Sequence, residues 1–495
     1  DVYKRQGQTY TATYLQEAAV GMENRHYLGA LSQAAGVQTL WGPGIVSVMG
    51  SGPWDNNYLI DGMDTSDEHN GLYNPQLSIE AVEEIAFHTA GFEAQFGRAN
   101  GGVVNLVTKS GGNRFRGSVD YRYATSDFEA SGEHFDPEEE LAKISDLNMS
   151  LGGPFVRDRL WFFAAMEHLN DESTPRGAPT TEKYSLTSYF GKLTWQTSPN
   201  WSLMGSFMAD PDRTDNAGSN PFRAPEATRQ INRLGLRGQA DLRGVLSDNL
   251  LFGARVGVHD GNYEHFPQDG DLTTIGHYNL DTGEEYGNFW GQNYGLGSRR
   301  EIDTDASWFV DDLVGSHDVK GGIRYTDSDY SSNVCYNGGG QPCTAGVEGF
   351  NFYDGTDEIG SYVPLQMEAW AAPGKYTFEG SIWSAYLQDS WRIRPDLTLK
   401  VGLRWDRSQQ TNDVGEEVSD LSVLQPRLGA AWNIGSRGRN ILRASWGRHM
   451  DPMSLSFAEH TSVHSTPWEI WLSCTNVLGV NDPALCEDIA VSEGW

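Results

Sequence analysis

Over residues 113–123, "NRFRGSVDYRY", apolar and polar positions alternate without a break. Phe115, Gly117, Val119, Tyr121 and Tyr123 share one parity, and Arg114, Arg116, Ser118, Asp120 and Arg122 share the other. Successive side chains of a strand point to opposite faces, so this segment is predicted to be a strand with one hydrocarbon face and one charged face. The pattern returns in "SYFGKLTWQ", where Tyr189, Gly191, Leu193 and Trp195 alternate with Ser188, Lys192, Thr194 and Gln196. It returns again in "LTLKVGLRWD", which sets Leu397, Leu399, Val401, Leu403 and Trp405 against Thr398, Lys400 and Arg404. About thirteen such strands fit between Arg114 and Arg448, each near the length a tilted membrane-crossing strand requires.

Soluble sandwiches also alternate, so the connections carry the decision. Short turns ("GGPFVRD", "TSPN", "LSDN", "VGSH", "RPD", "GSRGR") alternate with long polar loops over 124–145, 170–185, 210–232, 260–299, 328–379, 407–424 and from 449 onward. Short turns on one rim and long loops on the other predict a transmembrane antiparallel β-barrel. Trp195 and Trp405, near strand ends, suit its aromatic girdles. The charged parity (Arg114, Arg116, Asp120, Arg122, Lys192, Arg237) then faces a wet or filled lumen.

Composition adds limits. Mean hydropathy is −0.51, and no apolar run approaches the ~18 residues of a membrane helix. Net charge is −31, from 67 acidic and 36 basic residues, which makes nucleic acid a poor partner. Acidity serves solubility, or divalent-cation bridging at a charged surface. Cys335 with Cys343, and Cys474 with Cys486, have neither C-x-x-C spacing nor histidines at ligand spacing. Two local disulfides in an oxidising compartment are expected, and no metal or cofactor. With the first barrel strand running outward, both pairs fall in long outer loops. Residues 1–6, "DVYKRQ", do not blend into the sequence beyond them and read as a non-native scar, and the chain is expected to be a fragment.

Residues 7–112 read as a small α/β domain ahead of the barrel, of a size to sit inside one. "RHYLGALSQAAGV" (25–37) predicts a short helix ending at Gly36. "NNYLIDGMD" (56–64) predicts a strand entering an Asp-Gly turn. "SIEAVEEIAFHTAGF" (78–92) predicts a helical start capped by Ser78 that passes into a strand. A further strand, Val103–Thr108, lies among glycines.

These segments resemble the plug domain of TonB-dependent outer-membrane receptors. "YLIDGMDTSD" is similar to the family's "-IDG-" strand and turn, and residues 78–118 to its run through "YG-GA-GGVINI-TK". "NMSLGGPFVRDRLWFFAAME", "AYLQDSWRIRPDLTLKVGLRWD" and "QPRLGAAWNI" resemble barrel segments of the same receptors. The absence of "RGP" after the "-IEV-" strand, where this chain has His88-Thr89-Ala90-Gly91, fits the Oar-like subgroup. The resemblance implies a plug over 7–112 and, over 113–495, the N-terminal part of a barrel of about 22 strands. It also implies residence in the Gram-negative outer membrane amid lipid and lipopolysaccharide, TonB as the energising partner, and active uptake of a siderophore, oligosaccharide, peptide or similar substrate. A carboxypeptidase-regulatory-like domain, a TonB box and a signal peptide are expected upstream.

Asp61 and Gly62 are expected to set the plug hairpin rather than to touch substrate, Gly101 and Gly102 to allow close backbone approach, and Arg98 is either an ion-pair partner of the barrel or a plain surface arginine. Tyr263, His265, Tyr278, Tyr286 and Trp290, among loop carboxylates, are candidate substrate contacts or the aromatic core of a folded loop. No H-E-x-x-H or G-x-S-x-G motif marks an enzyme. An adhesin or protein-secretion receptor is the alternative: uptake predicts dependence on TonB, adhesion does not.

Overall fold

The computed structural model describes residues 7–17, 27–40, 45–72, 75–89, 91–128, 140–311, 313–337, 348–356, 362–371, 374–435, 440–450, 454–461 and 468–473. A 14-stranded antiparallel sheet dominates it. Thirteen strands follow chain order: Arg116–Thr125, Glu140–Val156, Leu160–Pro175, Glu182–Ser198, Trp201–Ala209, Arg229–Ser247, Leu250–Pro267, Gly291–Val310, His317–Tyr336, Gly374–Arg394, Leu397–Thr411, Glu417–Asn433 and Ile441–Gly447. The other, Asp212–Ala217, continues Trp201–Ala209 past a break and pairs with the same two neighbours.

The two faces of this sheet invert the rule for soluble proteins. Lys192 is 8% exposed while its neighbour Leu193 is 49% exposed. Val119, Ile302, Leu403 and Leu428 also point outward, whereas Arg237, Arg299 and Arg404 are buried on the inner face. Hydrocarbon displayed over a whole sheet is stable only against lipid. Trp195, Trp308 and Trp432 are exposed near the short turns, and Tyr189, Trp383 and Trp405 part-way toward the long loops. They bracket the apolar band as interfacial girdles do.

The strands run farther out than their alternation indicates. Gly374–Arg394 has 21 residues and Gly291–Val310 has 20, where crossing the bilayer needs about 9–11. The expected loops 170–185, 260–299 and 328–379 are therefore partly strand. Beyond the lipid both faces turn polar and the alternation fades, but the backbone ladder continues. Past the barrel, Gly276–Asn279, Glu285–Tyr286, Glu348–Thr356, Tyr362–Ala371 and Trp468–Ser473 form a separate five-stranded sheet drawn from three long loops. In it Gly276–Asn279 and Glu348–Thr356 run parallel.

The N-terminal unit has its own five-stranded sheet, in the order Gly7–Thr11, Val82–His88, Val103–Thr108, Asn57–Ile60, Met63–Asp64. The expected helix at 25–37 is a 3-10 helix, Tyr27–Gln33, and the chain leaves it through Gly36 at φ 79°. The Ser78 hydroxyl accepts from Glu80 N (3.2 Å) and caps the single turn Ile79–Ala81 before the strand begins. Leu15, Leu31, Val48, Ile85, Phe87 and Leu106 fill the core, which continues into Phe163, Phe190 and Met208 of the barrel wall. On that side the unit and the barrel share one apolar core.

Candidate functional site

The inner face of the barrel meets the N-terminal unit along a polar seam. Asp61 (φ 48°) and Gly62 (φ 86°) are the two central residues of a hairpin whose flanking pair is Ile60 and Met63. Two positive φ values define the tight turn that suits strand twist, which accounts for the Asp-Gly sequence. The turn fixes Asp61 for three bonds: Thr108 N (2.9 Å) and Thr108 Oγ1 (2.5 Å) donate from its own unit, and Lys192 Nζ (3.1 Å) donates from the barrel. Gly62 O accepts from two barrel guanidiniums, Arg255 (3.2 Å) and Arg324 (3.4 Å). A Cβ at Gly62 would lie 2.8 Å from Arg255 Nη1, so both the turn and the arginine exclude a side chain there.

Beyond the hairpin lie two buried carboxylates. Asp64 accepts from Arg98 Nη1 (2.8 Å) and Arg299 Nη1 (3.4 Å). Glu68 meets His259 Nδ1 at 2.8 Å and Arg299 Nη2 at 3.6 Å. Arg299 also donates to Ser66 O (2.8 Å). Arg98 therefore fits neither expected reading, direct pairing with the barrel or a plain surface arginine. It pairs within its own unit, and Asp64 hands the connection on to barrel Arg299. Burial alone would raise both carboxyls, but the cations facing them dominate: Arg98 and Arg299 hold Asp64 well below the usual range, and Arg299 and His259 bring Glu68 to about 2. Asp67 next to them is raised, by burial and then by the Glu68 charge.

A second clamp holds residues 93–97. Glu93 accepts from Lys400 Nζ (2.7 Å) and Gln388 Nε2 (3.1 Å), and Lys320 Nζ donates to Gln95 Oε1 (2.7 Å). Arg427 Nη1 reaches Glu93 O (2.6 Å) and Phe96 O (2.5 Å), while Arg404 Nη1 reaches Ala94 O (3.3 Å) and Gln95 O (3.4 Å). A Cβ on Gly97 would fall 2.3 Å from Arg404 Nη2. Gly101 and Gly102 sit inside the unit. A Cβ on Gly101 would meet Ser51 Oγ at 2.2 Å, and one on Gly102 would meet Phe87 at 3.0 Å. Gly102 N donates to Asn56 Oδ1 (2.8 Å), which fixes this backbone crossing.

The aromatic candidates divide into two groups. Tyr263 and His265 are on the long strand Leu250–Pro267 and not in a loop. Tyr263 meets Tyr330 hydroxyl to hydroxyl (2.9 Å) and packs at 5.3 Å from the His265 ring. Tyr278 and Tyr286 belong to the outer sheet. His277 stacks between Tyr286 (4.9 Å) and Phe352 (5.5 Å), and Asp354 accepts from both His277 (2.8 Å) and Tyr286. Trp290 packs on Phe289 at 5.0 Å. Cys335 is disulfide-bonded; Cys343, Cys474 and Cys486 lie outside the described residues.

A membrane-spanning sheet with a polar interior, bonded to a small α/β unit, defines a class of outer-membrane protein. The family model described as outer membrane beta barrel domain matches residues 107–183 and 176–424. The TonB-dependent transporter Oar of Myxococcus xanthus is 25% identical over 527 residues, covering 84% of this chain and 48% of that protein. The outer membrane transporter YddB of Escherichia coli superposes with a TM-score of 0.69 at 17% identity, covering 91% of this chain and 62% of that one. The siderophore receptor PirA of Acinetobacter baumannii gives 0.65 at 14% identity, covering 91% and 61%. The chain belongs to the outer-membrane β-barrel family, and within that family it is similar to an Oar-like TonB-dependent transporter. It spans about half the length of the curated relative it matches.

Proposed function

We propose that the whole protein takes up a substrate across the outer membrane, energised by TonB. In this reading residues 7–112 are the plug, 113–495 are the N-terminal part of the barrel, and 1–6 are foreign. The observation that carries the reading is the chemistry of the seam. Lys192, Arg299, Arg404 and Arg427 hold the N-terminal unit chiefly through carbonyls and carboxylates. Such bonds exchange for bonds to water at small net cost, so a pull from the periplasm can rearrange the plug along this polar seam, while the side joined to Phe163, Phe190 and Met208 stays packed. Tyr263 and His265 would meet substrate above the plug, and Tyr278, Tyr286 and Trp290 farther out. A ferric siderophore, an oligosaccharide and a peptide are the substrate classes to try.

The test offers labelled ferric siderophores, oligosaccharides and peptides to cells carrying the whole receptor, with and without TonB. Uptake of one class that requires both receptor and TonB supports the proposal. Cell-surface binding to a protein that persists without TonB, with no class internalised, overturns it in favour of adhesion.

A further inference from the structure

The chain leaves the last described barrel strand, Ile441–Gly447, at the long-loop end and then turns inward. A short helix, Ser456–Thr461, lies on the outermost turn of the N-terminal unit. Leu455 N donates to Glu68 O (3.1 Å) and Ser456 N to His69 O (2.9 Å). The His69 ring nitrogen Nε2 meets Glu459 Oε2 at 2.5 Å. From the barrel wall, Tyr376 OH donates to Glu459 Oε1 (3.1 Å), Gln410 Nε2 donates to Ser454 O (3.2 Å), and Tyr330 stacks on His69 at 4.2 Å. Leu455 and Ala458 are buried in a separate apolar cluster with Tyr330, Tyr376 and Phe378.

The other end of this segment has a different attachment. Trp468–Ser473 is a strand of the outer sheet and pairs with Tyr362–Ala371. Only residues 462–467 separate the helix from that strand, so Thr461 and Trp468 stand at most about 25 Å apart. An outer sheet displaced beyond that slack must pull on the helix, and the helix is bonded to Glu68 and His69. We propose that Ser454–Thr461 is a latch that transmits movement of the extracellular sheet to the turn Ser66–Leu72 of the N-terminal unit. Glu68 is also the partner of His259 and Arg299, so a pull on the latch bears directly on the seam. The inference deepens the receptor reading, but its test needs neither substrate nor TonB, so either can fail alone.

The whole receptor in outer-membrane vesicles serves for the experiment. Hydrogen exchange is compared in the wild type, Leu455→Ala and Glu459→Gln. Leu455→Ala is expected to accelerate exchange at least tenfold in both 64–72 and 468–473, leaving Val82–His88 unchanged. Glu459→Gln, which keeps the shape and removes the charge, should accelerate 64–72 alone and severalfold, and it reads the latch if Leu455→Ala does not fold. Unchanged exchange at 64–72, or equal acceleration throughout residues 7–112, would overturn the proposal.

Discussion

Replacing Arg299 with Met is the sharpest probe of the seam. Arg299 is 3% exposed and faces Asp64 and Glu68, themselves 4% and 2% exposed. Removing one partner of a buried charge cluster costs about 3–5 kcal/mol, because the charges left behind stay dry. Here Asp64 keeps Arg98 and Glu68 keeps His259, so the lower end, about 3 kcal/mol, applies. At about 1.4 kcal/mol per tenfold, local opening becomes roughly 100-fold more frequent. Native-state hydrogen exchange of residues 63–72 reads this directly, since local opening free energies differ between segments. Amides of the barrel strands should hold their wild-type protection. A change at 63–72 of less than threefold would mean that the arginine is dispensable, and the electrostatic account of the seam would be wrong.

Three further outcomes are expected from the same geometry. Gly101→Ala drives a Cβ to within 2.2 Å of Ser51 Oγ and 2.5 Å of Asn56 Oδ1; a loss of about 1–3 kcal/mol is expected, seen as easier proteolysis of residues 7–112 with the barrel intact. Asp64 and Glu68 have depressed folded pKa values, so they bind fewer protons folded than unfolded. Their stabilisation is full above about pH 5 and fades as the pH falls toward 2; Asp67, raised, contributes with the opposite sign. Proteolysis after acid exposure should show the N-terminal unit loosening before the barrel, and equal resistance at pH 7 and 3 would refute this. Leu403→Arg places a charge on the lipid face and should cost about 2–4 kcal/mol, measured by urea titration of the receptor refolded into vesicles. A neutral result would reverse the assignment of the two faces.

What could be read in the sequence was local. A parity of side chains identifies a membrane strand wherever lipid and lumen differ, as at Leu193 against Lys192. It fades where both faces are wet, which is why strand such as Ser328–Tyr336 reads as loop. The Asp61-Gly62 turn is legible because its backbone geometry selects its residues. The partners of those residues are not, because Asp61 and Lys192 are 131 positions apart and Asp64 and Arg299 are 235 apart. Arg98 illustrates the limit: its charge was visible, but the choice between Asp64 and a barrel carboxylate depends on the fold. The parallel pairing of Gly276–Asn279 with Glu348–Thr356, and the helix Ser456–Thr461 on the N-terminal unit, leave no periodic trace in short polar segments.

In the proposed reading, residues 7–112 block a polar-lined barrel and are held there by bonds that can be exchanged. The decisive measurement deletes residues 7–112 from the whole receptor and follows entry of an antibiotic too large for porins. Cells with the deleted form are expected to become sensitive while cells with the intact receptor stay resistant. Equal resistance, with the shortened barrel present in the membrane at normal abundance, would mean that residues 7–112 do not block the barrel.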